Sequence, residues 1–310
     1  MIHKTTHSVM FHHFHNDKYL PSQGSLSSSN FFDMLDWLNK KYNLLNASEY
    51  LTKLKNKTLV CNDICLSFDD ALKCQFDIAV PIINKLGIKA FFFVYSSVFN
   101  DKTDLLEVYR FFRSSYKEID QFYEEFFEIV RKKNFNDYSK NFSKFSSINY
   151  LSEFPFYSQN DKWFRYLRDQ YLAKDQYQKI MNTLMLRKGF DIALAKKNLW
   201  MTEQDLVKIS NKGHIIGLHS YSHPTQLNKL KKTDQEMEYK RNYEHLKKII
   251  KKPITSMSHP CGSYNDDTLN ILKSMKIEIG FRSNMTIKEH FNPLEIPRED
   301  HTNVFKEMNK

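Results

Sequence analysis

The sequence predicts an α/β protein on a largely parallel sheet, broken by one helical insertion, and three observations carry that expectation. Short apolar runs such as residues 64–68 and 88–94 alternate with segments in which apolar residues return every three or four positions. The helix-like segments end at or near glycine, as at Gly87 and Gly213, where the next apolar run begins. Between Asp104 and Leu199 the texture changes to aromatics and lysines with few strand patterns.

Taken in order, Ser29 or Asn30 is placed to cap a helix whose Phe31, Leu35, Leu38 and Tyr42 share one face. Residues 64–68 read as a buried strand ending in Asp69-Asp70, and a helix over 75–86 stops at Gly87 before residues 88–94 resume as strand. Thr202 with Asp205 makes a capping box for a helix ending before Gly213, and residues 214–218 form a strand that delivers His219. Residues 266–276 read as helix and 277–281 as the next strand. In the insertion, Ile119, Phe122, Tyr123, Phe126, Phe127 and Val130 form a continuous helical stripe, which is packing surface rather than a binding box. A second helical pair is expected over 163–172 and 176–186. We therefore expect a single domain over 1–310, with 104–199 inserted as a lid or a contact between subunits of a homo-oligomer.

Composition narrows the function classes. The 310 residues are 41% hydrophobic, with 25 Phe and 17 Tyr, ample for a buried core and unlike a disordered chain. No run approaches eighteen apolar residues, so no transmembrane segment is expected, and the histidine-rich start lacks the apolar centre of a signal peptide. A cytoplasmic location, or a peripheral one at the inner membrane surface, is the resulting expectation. Cys61, Cys65, Cys74 and Cys261 form no CxxC pair and are expected as free thiols. The net charge of +10 suits anionic partners, yet the lysines at 229–232 and 247–252 are explained as well by solvated helix ends, so no specific nucleic-acid partner is assigned.

The chemistry gathers at predicted strand ends, where parallel α/β folds place their working groups. Asp69-Asp70 after a buried strand lets one carboxylate bind a metal while its neighbour faces a metal-bound water. His219 and His223 are four apart, but Pro224 pushes His223 out of helical geometry, so the pair belongs on a loop and is not the HExxH arrangement. Two imidazoles and a carboxylate make a catalytic metal set with open positions.

These residues resemble the polysaccharide deacetylases, whose catalytic domain is also called the NodB homology domain. Ser67-Phe68-Asp69-Asp70 is similar to that family's first motif, and His219-Ser220-Tyr221-Ser222-His223 to its second. Ser258-His259-Pro260-Cys261-Gly262 resembles the third, Ile296-Pro297-Arg298 a late segment, and Val9-Met10-Phe11-His12 the start of a subgroup. The resemblance covers 1–100 and 200–301 but not the insertion. It implies a distorted (β/α) barrel and metal-dependent removal of acyl groups, usually N-acetyl, from an amino sugar or a saccharide precursor of cell-surface polysaccharide.

Carried over residue by residue, the resemblance implies Asp69 as the base and Asp70, His219 and His223 as ligands of one divalent ion, zinc or else cobalt, nickel or manganese. The third motif, Pro260, Cys261 and Gly262, would face the oxyanion through a backbone N–H, that of Cys261, and His12 would approach the substrate. Three departures stand out. Ala71 replaces a glycine; Ser258 stands where many members place an arginine that holds the base, for which Arg298 is the candidate substitute; and the late histidine that protonates the leaving amine is assigned to His301 over His290. A saccharide linked to a nucleotide or lipid phosphate is the expected substrate class, and a catalytically impaired, metal-containing saccharide-binding module is the alternative.

Overall fold

The computed structural model describes residues 5–100, 105–132, 138–152, 157–286 and 288–310. The opening Met1-Ile2-His3-Lys4 and Asp104, the first residue assigned to the insertion, lie outside the described residues. Two compact units are present, one of residues 1–21, 25–104 and 198–310 and the other of 22–24 and 105–197.

In the first unit the described residues form β1 (His7–Phe11), β2 (Asn43–Leu44), β3 (Asp63–Asp69), β4 (Phe91–Val94), β5 (Ile215–Leu218), β6 (Ser256–Ser258), β7 (Ile279–Phe281) and β8 (Arg298–Asp300). Every pairing is parallel, in the order β7-β6-β5-β4-β3-β1-β8, with β2 paired to β3. Parallel neighbours require crossovers, and helices supply most of them. The sheet curls until its ends nearly meet: Ile296 bridges to Phe281, and two residues later Arg298 stands opposite Ser8 of β1. The Ile296 N–H donates to the Gly280 carbonyl and the Ser8 N–H to the Pro297 carbonyl, so one short segment ties both edges into a nearly closed (β/α) barrel.

Because side chains alternate along a strand, the barrel has two faces of different composition. Outward, Phe11 and Phe68 meet Phe14 and Phe31, and Phe92 stacks on Phe68 at 4.7 Å. Inward, Phe91, Phe93 and Phe281 fill the interior with ring separations of 5.2–5.9 Å. Phe93 approaches β5 so closely that a Cβ on Gly217 would stand 2.7 Å from its ring, which explains the glycine. Towards the strands' C-terminal ends the lining turns polar, with Ser8, Ser67, Asp69, Ser258 and Arg298 all buried.

Sequence expectations meet the structure with informative differences. The first helix is Ser28–Lys41, and its cap is Ser27 rather than Ser29 or Asn30: the Ser27 hydroxyl accepts the Asn30 N–H at 3.1 Å. The segment over 75–86 begins as one π-helical turn, Gln75–Ala79, and becomes α over Val80–Lys85. Pro81 has no N–H to give, and the register shifts just before it, with Val80 bonded to the Gln75 carbonyl. The Thr202–Asp205 capping box opens helix Glu203–Asn211, as read from the sequence. Lys252, exposed, donates to the Ser210 carbonyl at 3.1 Å near the end of the same helix, so part of the basic run is a helix cap.

The second unit is helical among its described residues. Helix Ile119–Lys132 buries Phe122, Tyr123, Phe126, Phe127 and Val130 against Phe112, Phe164 and Tyr177, while Ile119 stays exposed. Gln159–Tyr166 runs into a π turn, Leu167–Tyr171, and Lys174–Arg187 follows, in place of the expected helices over 163–172 and 176–186. No helix of the described residues is long and apolar enough to cross a membrane.

His214, just before β5, is 3% exposed, accepts the Ala90 N–H at Nδ1 and faces Asn84 Oδ1 with Nε2. Burial, aided by the charge of Lys89, pushes its pKa down from 6.5 to about 4. Unfolding restores the ordinary value, so the neutral ring's stabilisation is complete above pH 6.5 and is lost as pH falls towards about 4, a total of ~3 kcal/mol. Urea unfolding of His214→Asn should therefore show a difference from the unmodified chain that shrinks as pH falls through that window; a difference independent of pH would contradict it.

Candidate functional site

Two adjacent carboxylates at a strand end should point to opposite faces. Here Asp70 has φ +74° and Ala71 φ +51°, and this left-handed pair turns Asp70 back towards the same site as Asp69. His12, just past β1, has Nε2 at 3.8 Å from Asp69 Oδ2 and 4.0 Å from Asp70 Oδ2, with a partly exposed ring. From β5 come His219 and, after a loop in which Ser220 and His223 are also left-handed, His223. Cys261 has φ +51° in the short turn Pro260–Gly262 that leaves β6. Residues other than glycine rarely adopt this conformation, and four of them fall within the three motifs singled out in the sequence, with Ala71 immediately after the first.

Asp69 is held by β8 and β6. Arg298, 1% exposed, donates from Nη1 to Asp69 Oδ1 at 2.8 Å, from Nη2 to Ser258 Oγ at 2.7 Å and from Nε to the Arg282 carbonyl at 2.5 Å. Ser258 Oγ in turn lies 3.3 Å from Asp69 Oδ2. Burial opposes ionisation of Asp69, but the Arg298 charge, with His219 and His12, outweighs it and holds the carboxyl below its ordinary range. Asp70 is likewise held well below that range by His219 and His223 against the effect of burial, while Asp69 and Asp70 draw the His219 pKa upward against the same effect.

The residues suit a metal ion. Asp70, His219 and His223 each turn one ligand atom to a common point, all within 4.8 Å of one another. Asp70 Oδ1 is buried and accepts no hydrogen bond, with both Nε2 atoms 3.5 Å away, too far for good bonds. His219 Nδ1 faces the Ser258 carbonyl at 2.8 Å, which fixes the proton there and leaves Nε2 as a donor atom for a cation.

The remaining assigned residues are placed as follows. Pro260 is buried, Cys261 is exposed, and Gly262 has φ +65°, with Ser283 Oγ only 2.3 Å from where a Cβ would stand. His301 opens the last helix, 4% exposed, with Nδ1 at 3.2 Å from the Met10 carbonyl and its ring stacked on Phe11. Asn242 and Glu238, absent from the sequence reading, grip the histidine loop from helix Lys232–Ile250. No motif marks them, since each is one polar residue in a charged amphipathic helix.

Residues 176–280 match the polysaccharide deacetylase family model, a span that includes His219, His223 and Cys261 but neither Asp69-Asp70 nor Arg298. No curated protein matches the sequence. Among solved structures, Streptococcus pyogenes deacetylase PplD in complex with acetate is 16% identical, with TM-score 0.55 over 96% of this chain and 92% of that one. IcaB from Ammonifex degensii is 12% identical, with TM-score 0.56 over 95% and 91%. A de-N-acetylase from Aggregatibacter actinomycetemcomitans is 13% identical, with TM-score 0.54 over 94% and 93%. The chain thus resembles the polysaccharide deacetylases, in sequence over residues 176–280 and in its barrel fold.

Two stability outcomes follow from this site. Arg298→Met keeps the bulk but strands a buried carboxylate, so urea unfolding should show a loss of about 3–5 kcal/mol; a loss under about 1 kcal/mol would mean that Asp69 is solvated by other means. Ala71→Gly relieves roughly 1–2 kcal/mol of left-handed strain but adds about 0.5–1 kcal/mol of chain entropy and loses about 0.8 kcal/mol of methyl burial. It should unfold within about 1 kcal/mol of the unmodified chain, whereas Ala71→Val, branched at Cβ, should be clearly destabilised.

Proposed function

We propose that this chain, with the polysaccharide deacetylase fold and a match to that family over residues 176–280, is a metal-dependent hydrolase that removes an acyl group, N-acetyl foremost, from an amino sugar. One observation carries the reading: a carboxylate fixed by a buried arginine stands beside a buried carboxylate oxygen that accepts no hydrogen bond and faces two imidazoles. A metal-containing saccharide-binding module would keep the cluster but would have no use for the fixed carboxylate beside it.

Asp70, His219 and His223 would hold the ion. When bound it supplies Lewis-acid chemistry, making a water more acidic and polarising the acyl carbonyl. Two imidazoles and a carboxylate suit zinc, and also cobalt, nickel or manganese. Asp69 acts as the general base: Arg298 and Ser258 orient its carboxylate and the Arg298 charge keeps it ionised, ready to take a proton from the attacking water. The Cys261 N–H lies in the turn just beyond Ser258 and is our choice of donor to the oxyanion. For the proton returned to the leaving amine we prefer His12 to His301, because a donor must reach substrate; His12 is partly exposed and faces both carboxylates, whereas His301 is 4% exposed. The basic surface and the net charge of +10 support a substrate that carries phosphate.

The test combines metal analysis with acetate release from free, nucleotide-linked and lipid-linked N-acetyl amino sugars. Near-stoichiometric metal that disappears in His223→Ala is expected, as is an Asp69→Asn variant that keeps the metal and loses about 10²–10⁴-fold in turnover. A metal-loaded chain that releases no acyl product from any of these substrates would overturn the proposal.

A further inference from the structure

Two of the three metal-ligand candidates sit on a loop whose backbone is left-handed at two positions. Within His219–His223 the Ser220 hydroxyl accepts the His223 N–H at 3.0 Å and the two imidazoles lie 4.8 Å apart, while the backbone is left-handed at both Ser220 and His223. Such a turn needs outside restraint. Helix Lys232–Ile250 provides it from two positions four residues apart, and therefore on one face. The Glu238 carboxylate accepts the Tyr221 N–H at 2.9 Å and the Ser222 N–H at 2.7 Å through Oε2, and the Ser222 hydroxyl at 2.8 Å through Oε1. One turn further on, Asn242, wholly buried, accepts the His219 N–H at 3.0 Å. Its amide donates to the Val94 carbonyl at 3.0 Å and to Ser96 Oγ at 2.9 Å, pinning the end of β5 to the end of β4. The carbonyl of Tyr221 is taken by the Ser97 N–H at 2.8 Å.

We infer that Glu238 and Asn242 are positioning residues for the metal centre, a splint on one helix face that imposes the geometry in which His219 and His223 meet Asp70. The inference rests on the reading of that site as a metal centre. Neither side chain touches the ligand atoms; both act on the backbone between them. Bonds from amides to a carboxylate are charge-assisted and therefore strong for their number. Asn242 has donors and an acceptor matched to groups of both kinds, so an isosteric aspartate keeps the bond to His219 but turns a negative charge on the Val94 carbonyl.

The experiment measures zinc affinity by competition with a chromophoric chelator, and amide exchange in the metal-free protein, for Glu238→Ala and Asn242→Asp, with Glu236→Gln as control. Glu236 is on the same helix and pairs with Lys240 at the surface. We expect zinc affinity to fall 10–100-fold in Glu238→Ala, as for loss of other outer supports of metal ligands. We also expect the Tyr221 and Ser222 amides to exchange at least tenfold faster in that variant, the melting temperature of the metal-free protein to move little, and the control to match the parent. Zinc affinity within twofold of the parent in Glu238→Ala overturns the inference, as does unchanged amide exchange. Should Asn242→Asp fail to fold, Glu238→Ala decides alone. A parent chain that binds none of zinc, cobalt, nickel or manganese would instead overturn the metal-centre reading on which this inference rests.

Discussion

Burying an arginine inside a barrel is costly unless nearly every donor finds a partner, and Arg298 sets terms that much of the first unit obeys. Its guanidinium lies in the barrel interior with Nε on the Arg282 carbonyl, Nη1 on Asp69 and Nη2 on Ser258, 6.0 Å from the centre of the Phe93 ring. Removing one partner of such a pair leaves an uncompensated charge in a low-dielectric interior. The pair is therefore tied to barrel closure, because Arg298 arrives on the segment that bonds β7 on one side and β1 on the other. Closure delivers the cation, and the cation fixes the carboxylate that faces the metal-ligand cluster. A short final strand of three residues thus couples fold and site.

The same logic explains where the backbone is strained. Phe91, Phe93 and Phe281 fill the interior below, so working groups can enter only at the C-terminal ends of the strands. Asp69, Asp70, His219 and His223 must then converge from two strands, β3 and β5, whose alternation would send half of them outward. Left-handed residues at Asp70, Ala71, Ser220 and His223 reverse the chain locally and bring them back. Each reversal costs about 1–2 kcal/mol; the hydrogen bonds of Glu238 and Asn242, and the N–H of Asp70 on the Phe93 carbonyl, offset part of that cost.

The alternation of elements, the carboxylate pair and the histidine pair were legible in the sequence because each is local. Strand β3 shows itself as an apolar run, and Pro224 suffices to place His223 off a helix. Capping was legible where the pattern was complete, as at Thr202 and Asp205, and missed where three serines compete, since Ser27, not Ser29, has the extended backbone that a cap needs. The π turn before Pro81 was hidden because hydrophobic spacing is nearly the same for α and π over a single turn. Asn242 and Glu238 were hidden for a stronger reason: their partners are backbone amides of a loop some twenty residues away, and no side-chain pattern records which amides lack a partner.

Ser258 shows how a departure from a familiar pattern becomes intelligible only in three dimensions. Read along the chain, a serine where the resemblance to the deacetylases leads one to expect arginine suggests a missing function. In the barrel, the space beside Asp69 is already filled by the Arg298 guanidinium entering from β8, and a second arginine on β6 would place two buried cations on one carboxylate. A serine is small enough to leave that space, and its hydroxyl links the guanidinium Nη2 at 2.7 Å to the free side of Asp69 at 3.3 Å. The charge that holds the carboxylate is therefore present but reaches it from a different strand, and Ser258 is the complement of that rerouting rather than a lesion in the site.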